Sequence, residues 1–504
     1  LGAIVRRFAA RLAGRARETL MSVRRSLAWM ALGQGSFFVF QFVSSIIIAR
    51  LLKPYEMGVF AIALATIGVL SVIQSLSLNN LLVREHELGE RLLATAFTVN
   101  LLIAAALSSL IAGAAFLGDI FFNEPGVRSV LLVLSVTPLI GALTFLPGAL
   151  LERESNFRAV AMFKSGGALV TGATAVFLAY RGYSYMSLAY GQLIASVVIS
   201  IVVAIAGRRY LRFRLSLADW RMVTRFGAQM LAIAGVLRIS RSLADMMLGK
   251  IQGLGTLGLY SRANNVHNML WENLLFIITR VVFIDFAGFE RQGGHIRERY
   301  LRVIEIITAL LWPAFGGLAI LSLPLVRALY GPNWDAAALP LSILCIGSAI
   351  HISMPMTWEI FVLRKQTGLQ TRIEFIRSGT TFALFIAGAF VSIVAAAAAR
   401  IGDAIIAQIL YRKHLMRFTE TTWGDVIPIY LRSALLTAAA LLPAALLMLL
   451  ASDPKHLGLI PVLASAAAGF AAWALLLKLT GHPIAEEARK LIDSRRPARA
   501  APSA

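Results

Sequence analysis

Cysteine is almost absent from this 504-residue sequence: Cys345 alone stands in an apolar stretch, which excludes a disulfide framework and a cysteine-based metal site. Charge is scarce as well. Only 15% of residues are charged against 58% hydrophobic, too few for the surface of a soluble protein of this length. Acidic residues number 26 against 48 basic ones. Long polar connections are missing too. The longest polar stretch away from the ends, 284–303, holds no glycine-rich phosphate loop, so no separate nucleotide-binding or catalytic domain is expected. Residues 1–26 carry seven arginines but no apolar core of signal-peptide length. They are expected to form a basic amphipathic helix on the cytoplasmic surface, with Ile4, Val5, Phe8, Leu12 and Leu20 toward the headgroups.

What the sequence does have is apolar runs. Mean hydropathy is +0.75, and runs of about 18 to 25 residues recur, each long enough to cross a hydrocarbon core of roughly 30 Å. Lipid offers no partners for backbone polar groups, so such spans must be helical. The expected fold is an all-α polytopic membrane protein with fourteen spans: 27–49, 57–77, 93–116, 127–149, 159–180, 186–207, 226–249, 258–283, 304–325, 336–358, 372–390, 392–411, 431–451 and 457–477. A turn near Val391 divides the longest run. Helix breakers recur within or beside the spans, at Pro138, Pro147, Pro313, Pro324, Pro340, Pro355 and Pro443.

The net charge of +22 invites a nucleic-acid reading, but its distribution argues against one. Thirty-three Arg and Lys residues fall in one set of alternate connections and the ends, and seven (Arg50, Lys53, Arg128, Arg181, Lys250, Arg327 and Lys455) in the other set. This is the positive-inside pattern, with both termini cytoplasmic. A basic linker at 208–225 separates the two halves, a basic tail occupies 478–504, and 431–477 forms an additional helix pair.

The halves are related. Met30 to Ala63 and Met230 to Ala263 share an outline at an offset of 200 residues, with Arg50 where Lys250 falls and Gly58-Val59-Phe60 where Gly258-Leu259-Tyr260 falls. The second half carries charge in mid-helix where the first carries almost none. Arg238, Arg241 and Asp245 share one face at i, i+3 and i+7. In the next span Arg262, Asn265, Glu272, Asn273 and Arg280 lie within about a third of the helix circumference. Further along, Glu374, Arg377 and Thr381 share a face, with His351 and Glu359 in the preceding span and Asp403 and Gln408 in the following one.

A charge at bilayer depth costs at least ~2.5 kcal/mol on insertion scales, so these faces are expected to line a hydrated cavity. The alternatives are a structural Arg241–Asp245 pair, interfacial Arg50, Lys250 and Arg280, and a hydrogen-bonded His267. Arginines in low dielectric suit phosphate or diphosphate through bidentate bonds. Several at different depths suit a large anionic head handed along while its lipid tail stays in the bilayer. Charge placement alone also fits a proton-coupled drug exporter.

An ordered series of stretches carries a resemblance: IIIARLLKPYEMGVFAIA (46–63), LLVREHELGERLLATAFTVNLL (81–102), LERESNFRAVAMFKSGG (151–167), GYSYMSLAYGQL (182–193), LADMMLGKIQGLGTLGLYSRANNV (243–266) and PLVRALYGPNWDAAALPLSIL (324–344). Together they resemble the Wzx-type polysaccharide transporters of the multidrug/oligosaccharidyl-lipid/polysaccharide (MOP) exporter superfamily.

The resemblance implies two pseudo-symmetric six-helix bundles, 27–207 and 226–411, working by alternating access. It implies an undecaprenyl-diphosphate-linked oligosaccharide as substrate, moved between leaflets of the bacterial inner membrane for exopolysaccharide or O-antigen synthesis, and no enzymatic activity. The positions that match the family's cationic cavity are Arg50, Arg238, Arg241, Lys250 and Arg262, with Arg280 and Arg377 expected near the cytoplasmic mouth. Asp245, Glu272 and Glu374 are the cavity carboxylates. Asp245 and Glu272 are the candidates for coupling to a proton or sodium gradient. No metal or other cofactor is expected. The expected partners are membrane lipids, a polysaccharide polymerase and a copolymerase, with the chain itself a monomer. Runner-up readings are a cation-coupled multidrug exporter and a peptidoglycan lipid-precursor flippase. A glycosyltransferase or polymerase would need a large outer loop, which this sequence lacks.

Overall fold

The computed structural model describes residues 32–76, 78, 82, 89–154, 156–210, 214–290 and 296–485, with the side chains of 225–238, 273–290 and a few scattered positions left out of the description. The expected N-terminal helix at 1–26 and the tail beyond 485 lie outside the described residues. Among the described residues there is no β-strand. Twelve stretches of the described residues are long and apolar enough to cross a membrane. The other two expected spans, 226–249 and 258–283, coincide with continuous helices of 33 and 37 residues.

The chain forms two compact units, Leu1–Met246 and Met247–Ala504. In chain order the first holds α1 (Leu32–Leu51), then α2 (Pro54–Leu70), α3 (Glu90–Phe122), α4 (Pro125–Leu134), α5 (Thr137–Leu143), α6 (Phe145–Arg153), α7 (Phe157–Tyr180), α8 (Met186–Ala206) and most of α9 (Trp220–Gln252). The division between the units falls inside α9, whereas the repeat in the sequence separates the halves at 208–225. Contacts within the first unit show why α9 joins it. The linker amides of Ser216 and Asp219 donate to Thr98 Oγ1 (2.9 Å) and Thr95 Oγ1 (3.4 Å) on α3. Arg214 pairs with Glu90 at 3.0 Å, and Arg209 and Tyr210 both bond Glu154. Gly68 of α2 lies so close to Ser242 of α9 that a Cβ there would sit 2.3 Å from its hydroxyl. The linker is therefore a strap along the first bundle.

The second unit holds α10 (Leu254–Glu290), α11 (Ile296–Ile320), α12 (Ser322–Tyr330), α13 (Ala338–Ile352), α14 (Thr357–Leu363), α15 (Thr367–Val391), α16 (Ile393–Thr419), α17 (Trp423–Leu450) and α18 (Leu459–Leu479). Its core gathers Tyr300, Phe315, Tyr330, Trp334 and Phe361, all essentially without solvent access. The helix pair α17–α18 is built onto α11. Trp473 Nε1 donates to Ala309 O (2.8 Å), Thr308 and Ser433 share a buried hydroxyl bond (2.8 Å), and a Cβ on Gly469 would sit 2.2 Å from Ala440 O. Close backbone approach at small residues is how helices associate where lipid removes the hydrophobic drive. The outward leucines of α17, such as Leu435 and Leu449, are exposed because lipid is their solvent.

Proline placement explains the broken spans. The expected 127–149 span is three short helices, α4 to α6, with Pro138 in the first turn of α5 and a further break at Thr144. The expected 336–358 span ends at Ser353 and restarts as α14 after Pro355 and Met356, whose φ of 58° is left-handed. Pro313, Pro428 and Pro443 are carried inside helices.

Candidate functional site

The charged face expected on α15 meets a second one on α16, and the hairpin between them sets the register. Ser392 is extended (φ −168°, ψ 166°) and its hydroxyl caps α16 by accepting from Ala395 N at 3.1 Å. Gly388 lets the two backbones close: a Cβ there would sit 2.5 Å from Ala395 O. This is the turn expected near Val391. Antiparallel descent from it brings Thr381, Arg377 and Glu374 alongside Arg400, Asp403 and Tyr411.

The result is a clasp around one guanidinium. Arg377 directs one amino group at both oxygens of Asp403 (2.9 and 3.1 Å). Its Nε donates to Glu374 Oε2 at 3.1 Å and its other amino group to Oε1. Thr381 donates to Asp403 (2.7 Å) and Tyr411 to Glu374 (2.8 Å). Arg400 lies 3.7 Å from Asp403. The Arg377, Glu374 and Asp403 side chains keep only 17%, 27% and 11% of their exposure. Asp403 lies ten residues into α16, about 15 Å along the helix from the turn, close to the midplane of a core of roughly 30 Å. Two carboxylates and two guanidiniums balance in charge, so this cation is held at depth by paired counter-ions.

A second polar cluster lies beside it. His267, almost wholly buried, bonds Asn268 (3.1 Å) and Ser348 (2.5 Å) through its two ring nitrogens. Trp271 stands between the rings of His267 and His351, at 6.2 and 5.8 Å. The satisfied interhelical role expected as one reading of His267 is what the geometry displays.

The remaining sequence candidates are dispersed. Arg262 is 3% exposed, its guanidinium stacked over Tyr330 (4.9 Å) and Trp334 (5.2 Å), where it fastens α10 to the end of α12. Asn265, Glu272, Arg50, Arg241 and Lys250 are exposed. Asp245 is partly buried and feels the charge of Arg241 one turn away. The side chains of Arg238 and Arg280 lie outside the described residues. Sequence reasoning assigned no role to Arg400 or Tyr411 and treated Asp403 only as local polarity. Their spacing, 400, 403 and 411 on one face of an alanine-rich span, was the available signal.

The fold is one shared with solved helical membrane transporters of the MOP superfamily. The structure titled lipid II flippase MurJ, inward closed conformation, superposes with a TM-score of 0.70 at 15% identity, over 89% of this chain and 98% of that one. An inward-facing MATE-family multidrug resistance transporter of the MOP superfamily gives 0.55 at 12% identity, over 77% and 96%. The chain belongs to the family described as polysaccharide biosynthesis protein, whose profile matches residues 47–339. Its relatives include the lipopolysaccharide biosynthesis protein WzxC of Escherichia coli K12, 24% identical over 63% of this chain and 65% of that protein. Another is the succinoglycan biosynthesis transport protein ExoT of Rhizobium meliloti 1021, 28% identical over 65% and 67%. The chain thus matches about two thirds of the length of these relatives.

Proposed function

We propose that this protein flips undecaprenyl-diphosphate-linked oligosaccharide repeat units from the cytoplasmic to the periplasmic leaflet of a bacterial inner membrane, by alternating access, for exopolysaccharide or O-antigen synthesis. The observation that carries the proposal is the Arg377 clasp. A guanidinium near the midplane, bonded by Glu374 and Asp403, presents the planar fork that matches a diphosphate as well as a carboxylate. The names of WzxC and ExoT and the one-sided distribution of basic connections support the same reading.

In this mechanism the sugar-diphosphate head is admitted near Arg280 and Arg377 while the prenyl chain remains in lipid. The diphosphate displaces carboxylate oxygens from Arg377 and is then passed to Arg238 and Arg241. It leaves past Arg262, Lys250 and Arg50, the release of Arg262 from its two aromatic rings being part of the change of state. Exchange of one anion for another keeps Arg377 paired, while Asp403 stays beside Arg400 and Thr381 and Glu374 stays bonded to Tyr411, which limits the cost of the freed carboxylates. No covalent bond is made or broken. Asp245 and Glu272 are the proposed points of coupling to a proton or sodium gradient. The protein acts as a monomer, with polymerase and copolymerase receiving its product.

The test is complementation of a deletion strain. Arg377→Ala and Arg238→Ala should each leave protein in the membrane but abolish polysaccharide export, with lipid-linked repeats accumulating inside the cell. Normal export by both variants would overturn the assignment. Export of organic cations, with polysaccharide unaffected, would favour the multidrug reading.

A further inference from the structure

The second unit contains a buried cation with no carboxylate partner among the described residues, and an apolar pocket next to it. Arg412 is 8% exposed. Its Nε and one amino group donate to Gln408 Oε1 (3.1 and 2.6 Å), that amino group also reaches Ser353 Oγ (3.4 Å), and the other donates to Tyr430 Oη (2.9 Å). The rings of Trp423 and Tyr430 lie 5.2 and 5.6 Å from its Cζ. Every one of these partners is neutral, and no carboxylate pairs with Arg412 among the described residues. Four of its five N–H donors are used. Nearby, Tyr300 Oη is buried with no hydrogen-bond partner, close enough to feel the charge of Arg412. Contrast Arg377, which is held by two carboxylates, one of them Asp403, two and a half turns deeper than Arg412 on α16.

The pocket has a volume of about 220 Å³ and is lined by Trp312, Phe315, Gly316, Cys345, Ile346, Ala349 and Ile350, without a polar wall. It shares residues with the Arg412 network. The Trp312 ring stands 5.7 Å from that of Tyr430, and Ile350 O accepts from Gln408 (3.0 Å) and from Ser353 N (3.2 Å). Ile346 is 46% exposed, so the pocket opens toward lipid.

Depth orders the two parts. Arg412 is nineteen residues from the outer turn, about 28 Å along α16, which places it at the inner surface of a core of roughly 30 Å. The pocket residues of α13 lie three to eight residues before Ser353, about 5–12 Å further into the membrane. A head at the surface with a chain running inward is the shape of a lipid in the cytoplasmic leaflet. Exposed Lys413 and Arg417 follow Arg412 on α16 and make that end of the helix cationic, whereas Arg432 of α17 lies 3.9 Å from Glu305.

We infer that α11, α13, α16 and α17 form a binding site for an anionic glycerophospholipid of the cytoplasmic leaflet, its phosphate paired with Arg412 and Tyr300 under Trp423 and one acyl chain seated against Trp312 and Cys345. The site is separate from the Arg377 clasp, and it lies wholly within the second unit. Phosphatidylglycerol brings a net negative headgroup, whereas the choline of phosphatidylcholine offsets its own phosphate, so pairing with Arg412 predicts roughly a tenfold or greater preference for the anionic lipid.

The full-length protein, purified and exchanged into vesicles of phosphatidylglycerol or of phosphatidylcholine, provides the test. Cys345 is the sole cysteine and therefore a reporter in the pocket wall. Its reaction with a membrane-permeant maleimide should be at least about tenfold slower in phosphatidylglycerol, and native mass spectrometry should retain that lipid selectively. Arg412→Gln should remove the headgroup preference. Ile346→Trp, which fills the mouth without touching the cation network, should remove the bound lipid while the fold and thermal transition are kept. Equal labelling in both lipids with no retained phospholipid would overturn the inference and leave Arg412 a structural cation. Protection by undecaprenyl phosphate but not by phosphatidylglycerol would overturn it in favour of a substrate site. Neither result depends on export, so failure here is distinguishable from failure of the flippase reading.

Discussion

Arg377 is the residue on which charge, depth and register converge. Asp403→Asn should strip it of a buried counter-ion and destabilise the protein by about 3 kcal/mol, the usual cost of breaking such a pair. The double variant Arg377→Met/Asp403→Leu should recover much of that stability, since apolar replacement of both partners removes the desolvation cost, yet still fail to export. Thermal unfolding in detergent, read beside complementation, separates the two effects. Half of this clasp was legible from sequence: Glu374, Arg377 and Thr381 recur with helical period on one face. The other half was not, because pairing Asp403 to Arg377 requires the register of the hairpin, which Gly388 and Ser392 determine through contact rather than pattern. The packing of Arg262 was not legible either: its charge is visible in the sequence, but the rings of Tyr330 and Trp334 that stack on it lie about 70 residues away. A second residue gives a pH prediction. His482, beyond the last span, is buried with its pKa pushed below the ordinary histidine value, first by desolvation and then by Arg432. Its neutral form is favoured in the folded state, so the contribution to stability is complete above the unfolded value near 6.5 and is lost as pH falls through that region. The thermal transition should drop between about pH 7 and pH 5 in the natural protein, and His482→Gln should flatten that slope.

Helix pairs carry the next level of the account. The α15–α16 hairpin tolerates no side chain at Gly388, where a Cβ would stand 2.5 Å from Ala395 O. Gly388→Leu should therefore cost about 1–3 kcal/mol through overpacking and misplace Asp403 against Arg377, so export should fall even where protein remains in the membrane. Gly368→Leu, at an open position of the same helix, should change little. The division of the 40-residue apolar run near Val391 could be foreseen, because the count of basic residues in alternate connections requires an outer turn there. The three-piece construction of α4 to α6 was less visible: Pro138 and Pro147 mark breakers, but proline is also carried inside membrane helices here at Pro313 and Pro443. That α9 travels with the first unit could not be read from a repeat at all. It follows from the docking of the linker on Thr95 and Thr98 and from the contact of Gly68 with Ser242.

At the scale of the whole molecule, composition alone indicated an all-helical membrane protein, since a chain with so few charges and so many apolar runs has no other way to satisfy its backbone. Basic residues that alternate from one connection to the next predict an orientation with both termini cytoplasmic. A reporter active only in the periplasm should be silent when fused after Arg364 or Lys413 and active when fused after Ser392. Substrate identity is the part least accessible to sequence, because a sugar repeat is recognised by pocket shape whereas a diphosphate is recognised by charge. The central claim is that Arg377 exchanges its carboxylates for a travelling diphosphate. It is tested most directly by reconstituting the protein in proteoliposomes with a fluorescent undecaprenyl-diphosphate-linked sugar and measuring the fraction reduced by an impermeant quencher. The natural protein should expose the inner-leaflet pool and Arg377→Ala should leave about half of the probe protected; equal rates of exposure by the two proteins would contradict the account.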